Sequence, residues 1–277
     1  MNPIFIAVIY GLVQGLSEFL PISSSAHLAL MPFFLELRDP GVAFDLCLHI
    51  GTALAVLIYF RQSVLAIGRQ AVPSLVRWSD ESAGLCRARH FVLATLASVL
   101  LILALRPFTA PFRGPWMIAG QQLVFGLLLW AADLWQRRPG KALHGFGHFS
   151  TAGALPDAVI IGLAQALAIF PGVSRSGITL TAALFRGIER REAAAFSFLL
   201  SLPIIIAGAL VELPALLRSG LGEDGLFILG LGVAVSFVSG ILTIHFFMRL
   251  IGRINLGWFT LYRVGLAGLL VFLLLRS

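Results

Sequence analysis

The chain has 277 residues, of which 58% are hydrophobic and only 12% charged, with a formal net charge of +7. That is more apolar surface than one soluble core can bury, and it comes in long runs, which excludes a soluble globular domain and predicts an all-α polytopic membrane protein. The high pI, about 10.6, follows from loop arginines beside anionic lipid, so nucleic acid is not an expected partner.

The first apolar region, 3–35, is interrupted midway by Pro, Gly and Ser. No basic stretch opens it, so it is read as part of the fold and not as a signal peptide. Gln14 and Glu18 are four residues apart and share a helix face, while Gly11 and Gly15 line an adjoining face open to close helix approach. Pro21 ends that helix; Ser23, Ser24 and Ser25 occupy the turn and the next helix start, with His27 one turn further. Full spans are expected at 41–60, 91–107, 116–135, 193–213, 225–248 and 258–275, with 61–90 as a loop. Asp45 and His49, four apart in the first span, are either support for a site or a structural hydrogen-bonded pair. Cys47 falls in a span and Cys86 in the loop, so no disulfide is expected. No Cys/His metal spacing or Walker-type glycine loop stands out. A second broken region lies at 155–187 and contains "PGVSRSGIT".

The two broken regions resemble each other. "GLVQGLSEFLPISSSAHL" from Gly11 and "GLAQALAIFPGVSRSGITL" from Gly162 align at a constant offset, pairing Gly, Leu, Gln, Leu and Phe, then Ser23 with Ser174 and Ser25 with Ser176. A weaker echo pairs Phe44 onward with Phe196 onward. A single membrane domain is therefore expected to contain two repeats, 1–140 and 150–277, each a re-entrant helical hairpin plus three transmembrane helices. Three crossings per repeat invert the second against the first, an architecture in which broken helices meet near the bilayer midplane.

Under that topology one side collects Arg61, Arg69, Arg77, Arg87, Arg89, Arg137, Arg138, Lys141, Arg186, Arg190, Arg191, Arg249 and Arg253; the other receives Arg38, Arg106, Arg113, Arg218 and Arg276. The first side is cytoplasmic by the positive-inside rule, which turns the first hairpin and both termini outward. Arg175 and Arg263 remain inside the membrane. A central arginine costs about 2.5–3.5 kcal/mol on insertion scales and so needs a partner or ligand. Arg263 is expected to snorkel or to make a structural pair. Arg175 stands among Ser174, Ser176 and Thr179 after the helix-breaking Pro171 and Gly172. Free N–H groups, hydroxyls and a guanidinium fork together suit a phosphate. The first hairpin then offers a carboxylate, an imidazole and hydroxyls for acid-base work on it.

With "QGLSEFLPISSSAH" and "PGVSRSGIT" in hand, the sequence resembles the bacterial undecaprenyl-diphosphate phosphatase, or bacitracin-resistance protein, family over essentially its whole length. The resemblance implies hydrolysis of a C55 polyprenyl diphosphate to the monophosphate carrier of cell-wall precursors, bacitracin resistance, and an inner-membrane site opening outward. It implies catalytic Glu18, Ser24, His27 and Arg175, with Ser23, Ser25, Ser174, Ser176 and Thr179 at the phosphates. It also implies a divalent cation, Mg²⁺ or Ca²⁺, contacted by Glu18 and by Gln14, although Gln at 14 removes one of the motif's two carboxylates. Whether Ser24 attacks or positions a water is left open, as is oligomeric state, with a homodimer one option. The rival reading is a lipid-phosphate transporter or flippase using the same pocket. A type 2 phosphatidic acid phosphatase is set aside, because Thr181 stands where that family needs a histidine.

Overall fold

The structure, a computed structural model, describes residues 2–35, 42–138, 144–145, 147–218 and 225–276; Arg38 and Lys141 lie outside them. The α-helices in chain order are α1 (Pro3–Ser17), α2 (Ser24–Leu35), α3 (Val42–Tyr59), α4 (Arg61–Val76), α5 (Ala83–Leu105), α6 (Pro115–Gln136), α7 (Leu155–Ala166), α8 (Arg175–Phe185), α9 (Arg190–Arg218), α10 (Gly225–Leu250) and α11 (Gly257–Arg276). Among the described residues there is no strand, only an isolated bridge between His144 and Ile188. Helices dominate because hydrocarbon offers no partner for a free backbone group, so each segment must satisfy its own.

Among the described residues, six helical stretches are long and apolar enough to cross a membrane. Five are α5, α6, α9, α10 and α11, as expected from hydropathy; the sixth, Ala152–Ile169, is the first arm of the second broken region. The expected first span is α3, which turns by 88° into α4. Helix α4 corrects the expectation of a loop from 61 to 90. Its exposed Arg61, Gln62 and Arg69 alternate with exposed Leu65 and Val72. That mixture suits a membrane surface, and a search for unbroken apolar runs passes over it.

The broken regions are hairpins. Their second arms, α2 with 12 residues and α8 with 11, reach only about 16–18 Å at 1.5 Å per residue, short of a hydrocarbon core of about 30 Å. The second hairpin returns to its starting side, because Arg186 just after α8 donates to Asp157 near the start of α7 (Nε to Oδ1, 2.5 Å). That end of the molecule also gathers Arg190, which donates to Asp133 of α6 and to the carbonyls of Ile251 and Ile254 between α10 and α11. Arg87 of α5 stands 4.0 Å from Glu192 of α9 there. Arg87, Arg186 and Arg190, which the charge pattern assigns to one side, therefore lie at one end of the helices.

Packing repeats as the sequence does. Helix α1 lies on α10, and its counterpart α7 lies on α5. Gly11 permits the first contact: a Cβ there would stand 2.7 Å from the Gly232 carbonyl. Gly162 permits the second, since a Cβ there would strike the carbonyl of Ala94. Ser239 of α10 donates to the Gly11 carbonyl (3.3 Å), and Ser98 of α5 donates to the Gly162 carbonyl (2.6 Å).

Candidate active site

The site forms where the two hairpin turns meet. In the first turn α1 stops at Glu18, whose N–H still reaches the Gln14 carbonyl, and Pro21 keeps the helix from resuming before Ser24. In the second, Gly172 (φ 94°) and Ser174 (φ 70°) reverse the chain, and the Ser174 hydroxyl caps α8 by accepting from the Gly177 N–H at 3.1 Å. Ser23 and Ser174, matched in the repeat alignment, are the non-glycine residues with positive φ among those described (73° and 70°). Each also places its hydroxyl near that of the serine two residues on, Ser25 at 3.1 Å and Ser176 at 3.4 Å.

Matched positions are then held from outside. Gln122 of α6 donates to the Ile22 carbonyl (3.1 Å), while Arg263 of α11 donates to the aligned Val173 carbonyl (3.1 Å). Arg263 goes further. Fully buried, it also reaches the carbonyls of Gly172 (2.8 Å), Pro21 (3.3 Å) and Gln122 (3.1 Å), so one guanidinium ties both turns to α6. The expected structural role is met by carbonyl oxygens, not by a carboxylate. Ser176 adds another tie, donating to the Leu20 carbonyl (3.0 Å).

A cavity of about 290 Å³ lies between the turns. Its polar wall carries Glu18, Ser23, Ser24, Ser25, His49, Gln165, Ser174 and Arg175. Glu18 is the hub: Oε1 accepts from Arg175 Nη2 at 2.8 Å, and Oε2 accepts from Ser24 Oγ at 2.6 Å and Gln14 Nε2 at 3.1 Å. His49 donates from Nδ1 to the Asp45 carbonyl (2.8 Å), which sets Nε2 facing Glu18 Oε2 at 3.4 Å. A hydroxyl held on a carboxylate is the geometry of an activated nucleophile. The Arg175 side chain is 11% exposed, and its Nη1 is buried without a partner. A buried donor left open is costly unless a ligand fills it.

Four expected residues lie outside this cavity, and Gln14 is one of them, bonded to Glu18 from behind. His27 does not line this cavity: it donates from Nδ1 to the Ser23 carbonyl (2.7 Å), while Nε2 meets the Tyr262 hydroxyl (2.6 Å) in a separate apolar recess with Leu30 and Met31. Its helical turn rotates it toward α11, and His49 occupies the place expected for it. Ser176 and Thr179 are also outside the cavity. Thr179 bonds back to the Arg175 carbonyl (2.8 Å) and meets Ser197 (2.5 Å), so it braces the arginine's backbone. Gln165 lines the cavity without having been singled out, though its alignment with Gln14 was a usable signal. Asp157, His148 and His144 form another group of potential metal ligands. Both Asp157 oxygens are already taken, by Arg186 and His148, and the two imidazoles stack on each other, which makes the group a latch between the connector and the second hairpin.

The family described as bacitracin resistance protein BacA matches residues 7–269. A relative from Marinobacter nauticus named undecaprenyl-diphosphatase is 41% identical, covering 96% of this chain and 97% of its own length. Proteins of that name from Teredinibacter turnerae and Alcanivorax borkumensis are 44% and 43% identical, over 96% and 97% of this chain and 97% and 98% of theirs. With that match over nearly its whole length, the chain belongs to the bacitracin resistance protein BacA family.

Proposed function

We infer that this protein is an integral membrane phosphatase that hydrolyses undecaprenyl diphosphate to undecaprenyl phosphate and inorganic phosphate. One observation carries the reading: Ser24 and Glu18 from one hairpin meet Arg175 from the other in a single cavity, with an arginine nitrogen buried and open for a phosphoryl oxygen. Ser24 Oγ attacks the terminal phosphorus while its proton passes to Glu18. The bond to the bridging oxygen breaks and prenyl monophosphate leaves, and water then cleaves the phosphoserine to release phosphate. Arg175 neutralises charge on the transferring group, and Ser23, Ser25 and Ser174 donate hydroxyls to it. His49 and Gln14 orient the carboxylate. His27, bonded to the Ser23 carbonyl, acts through the turn that presents Ser24.

A divalent cation would be held by Glu18 together with substrate phosphates and water; Gln14 turns its Nε2 toward Glu18 Oε2 at 3.1 Å, so its Oε1 would join the ion only if the amide turned over. Such an ion would supply charge neutralisation on the diphosphate. Sequence charge supports a cytoplasmic arginine-rich end and a site opening to the outer face of the bacterial inner membrane. The matched positive-φ serines and glycine contacts support the division into repeats 1–140 and 150–277. The decisive experiment is phosphate release by the purified protein in detergent from C55 and shorter prenyl diphosphates, with and without EDTA. Release abolished by EDTA and restored by Mg²⁺ or Ca²⁺ is expected; no release from any substrate under metal-replete conditions sinks the enzyme reading and returns the pocket to a transporter.

A further inference from the structure

Gln165 of α7 lines the cavity at 1% exposure, and the hydrogens of its amide are spent away from it. Nε2 donates to Ser98 Oγ of α5 (3.1 Å) and to the Leu200 carbonyl of α9 (3.3 Å). Those partners fix which way the amide points. The single hydrogen of the Ser98 hydroxyl is committed to the carbonyls of Ala94 (2.9 Å) and Gly162 (2.6 Å), so toward Gln165 that oxygen accepts, as the Leu200 carbonyl must. Turning the amide over would set its oxygen against two acceptors. Oε1 is therefore the atom left over, buried and without a partner among the described residues.

The repeat explains why this acceptor is open. Gln165 matches Gln14, whose Nε2 donates to Glu18 at 3.1 Å, but the residue that matches Glu18 is Ile169. With no carboxylate to hold, the glutamine of the second hairpin ties α7 to α5 and α9 and keeps its oxygen free. Ala168, Ile169 and Ile102 line the cavity with it. One amide oxygen among apolar side chains is a poor ligand for a hard divalent cation, which takes about six or more oxygens. It suits a neutral donor, and a buried acceptor is costly until such a donor reaches it.

We propose that Gln165 Oε1 orients the water that cleaves the phosphoserine in the second step of the reaction. The inference rests on the phosphatase reading and its covalent route. Ser24 and Gln165 come from opposite hairpins, so a phosphoryl group on Ser24 Oγ, in the cavity between the turns, presents its far side to the second hairpin. In-line attack enters from that side, which the prenyl monophosphate has just left. The water oxygen bonds to phosphorus as the bond from phosphorus to Ser24 Oγ breaks. Both water hydrogens stay on the departing group, which leaves as dihydrogen phosphate, and Glu18 returns to Oγ the proton it took in the first step. Oε1 accepts a hydrogen bond from the water and takes no proton, so a neutral amide suffices.

The test is rapid quenching of wild type and Gln165→Ala on a prenyl diphosphate, reading prenyl monophosphate, phosphorylated Ser24 and inorganic phosphate separately. In the variant, prenyl monophosphate is expected to appear in a burst at close to the wild-type rate, phosphoserine to accumulate to near one per protein, and phosphate release to fall by about 10²-fold. Equal slowing of both steps without phosphoserine, or no slowing of either, overturns the role and leaves Gln165 a tie between helices. Should the variant fail to fold, a structure of the wild-type protein with vanadate bound to Ser24 reads the same geometry. The apical vanadate oxygen opposite Oγ is expected within hydrogen-bond reach of Gln165 Oε1, about 3 Å; an apical oxygen beyond that reach refutes the role. Wild-type protein that releases no phosphate from any prenyl diphosphate fails the phosphatase reading instead, so the two failures are distinguishable.

Discussion

The two hairpins share a backbone but have divided the chemistry. Both turn at a positive-φ serine, both place a hydroxyl against a serine two residues on, and both rest on a helix of the opposite half through a matched glycine. At the position after that serine, however, the first has Ser24 and the second Arg175. Where the first has Glu18, the second has Ile169 on the cavity's apolar side. A duplicated scaffold thus supplies two equivalent helix starts facing one another, one carrying nucleophile and base, the other the anion-binding cation. Phosphoryl transfer needs both kinds of group on opposite sides of one phosphorus, which two identical hairpins do not supply.

The largest effect should come from the position where the hairpins differ. Ser24→Ala is expected to lower kcat by about 10³-fold or more, because among the described residues no other hydroxyl bonds the Glu18 carboxylate, with phosphate release as the measurement. Rapid quenching of wild type should trap phosphorylated Ser24 if its breakdown is the slower step. A Ser24→Ala enzyme retaining a substantial fraction of turnover would mean that Glu18 activates water directly. On the other hairpin, Arg175→Lys keeps the charge but loses the fork that binds Glu18 and the phosphoryl group together. A fall of about 10²–10³-fold is expected, with unchanged membrane insertion. Wild-type rates would reduce Arg175 to a structural ion pair.

A smaller difference should separate the two external ties. Arg263→Lys cannot reach the carbonyls of both turns, so a loss in kcat of about tenfold with little change in KM is expected, exceeding that of Gln122→Ala, which releases only the first turn. Equal losses would argue that the turns are held by other contacts. Gly162→Ala should destabilise the fold by about 1–3 kcal/mol through overpacking against Ala94, more than Gly11→Ala, as read by thermal unfolding in detergent. The smallest contrast lies at the matched serines. Ser23→Gly relieves positive φ and should be near neutral, whereas Ser174→Gly also loses the α8 cap and should cost a few tenths of a kcal/mol. Identical effects would mean that the cap contributes nothing.

Much of this was legible in the sequence for a physical reason. Hydrocarbon imposes apolar runs of fixed length, so α5, α6, α9, α10 and α11 announced themselves. Proline, glycine and serine interrupting such runs marked the hairpins, and their internal similarity paired Ser23 with Ser174. Polar groups are expensive in lipid, so Glu18, Ser24 and Arg175 stood out as a site before any of them had a position. Helix α4 was not legible, because a helix that need not cross the bilayer carries no unbroken apolar run.

By itself, then, the sequence determined the membrane class, the spans, the repeat, the helix breaks and the set of ionisable and hydroxyl groups near them, all of which follow from local composition and periodicity. The tertiary structure alone decided which of those groups share a cavity. Successive helical residues point about 100° apart, so the exact restart of α2 turns His27 toward Tyr262 and leaves His49, from another helix, beside Glu18. It alone decided that Arg263 binds carbonyls of both turns. These are contacts between residues far apart in the chain, and no local pattern of side chains encodes the distance between two helices from opposite halves.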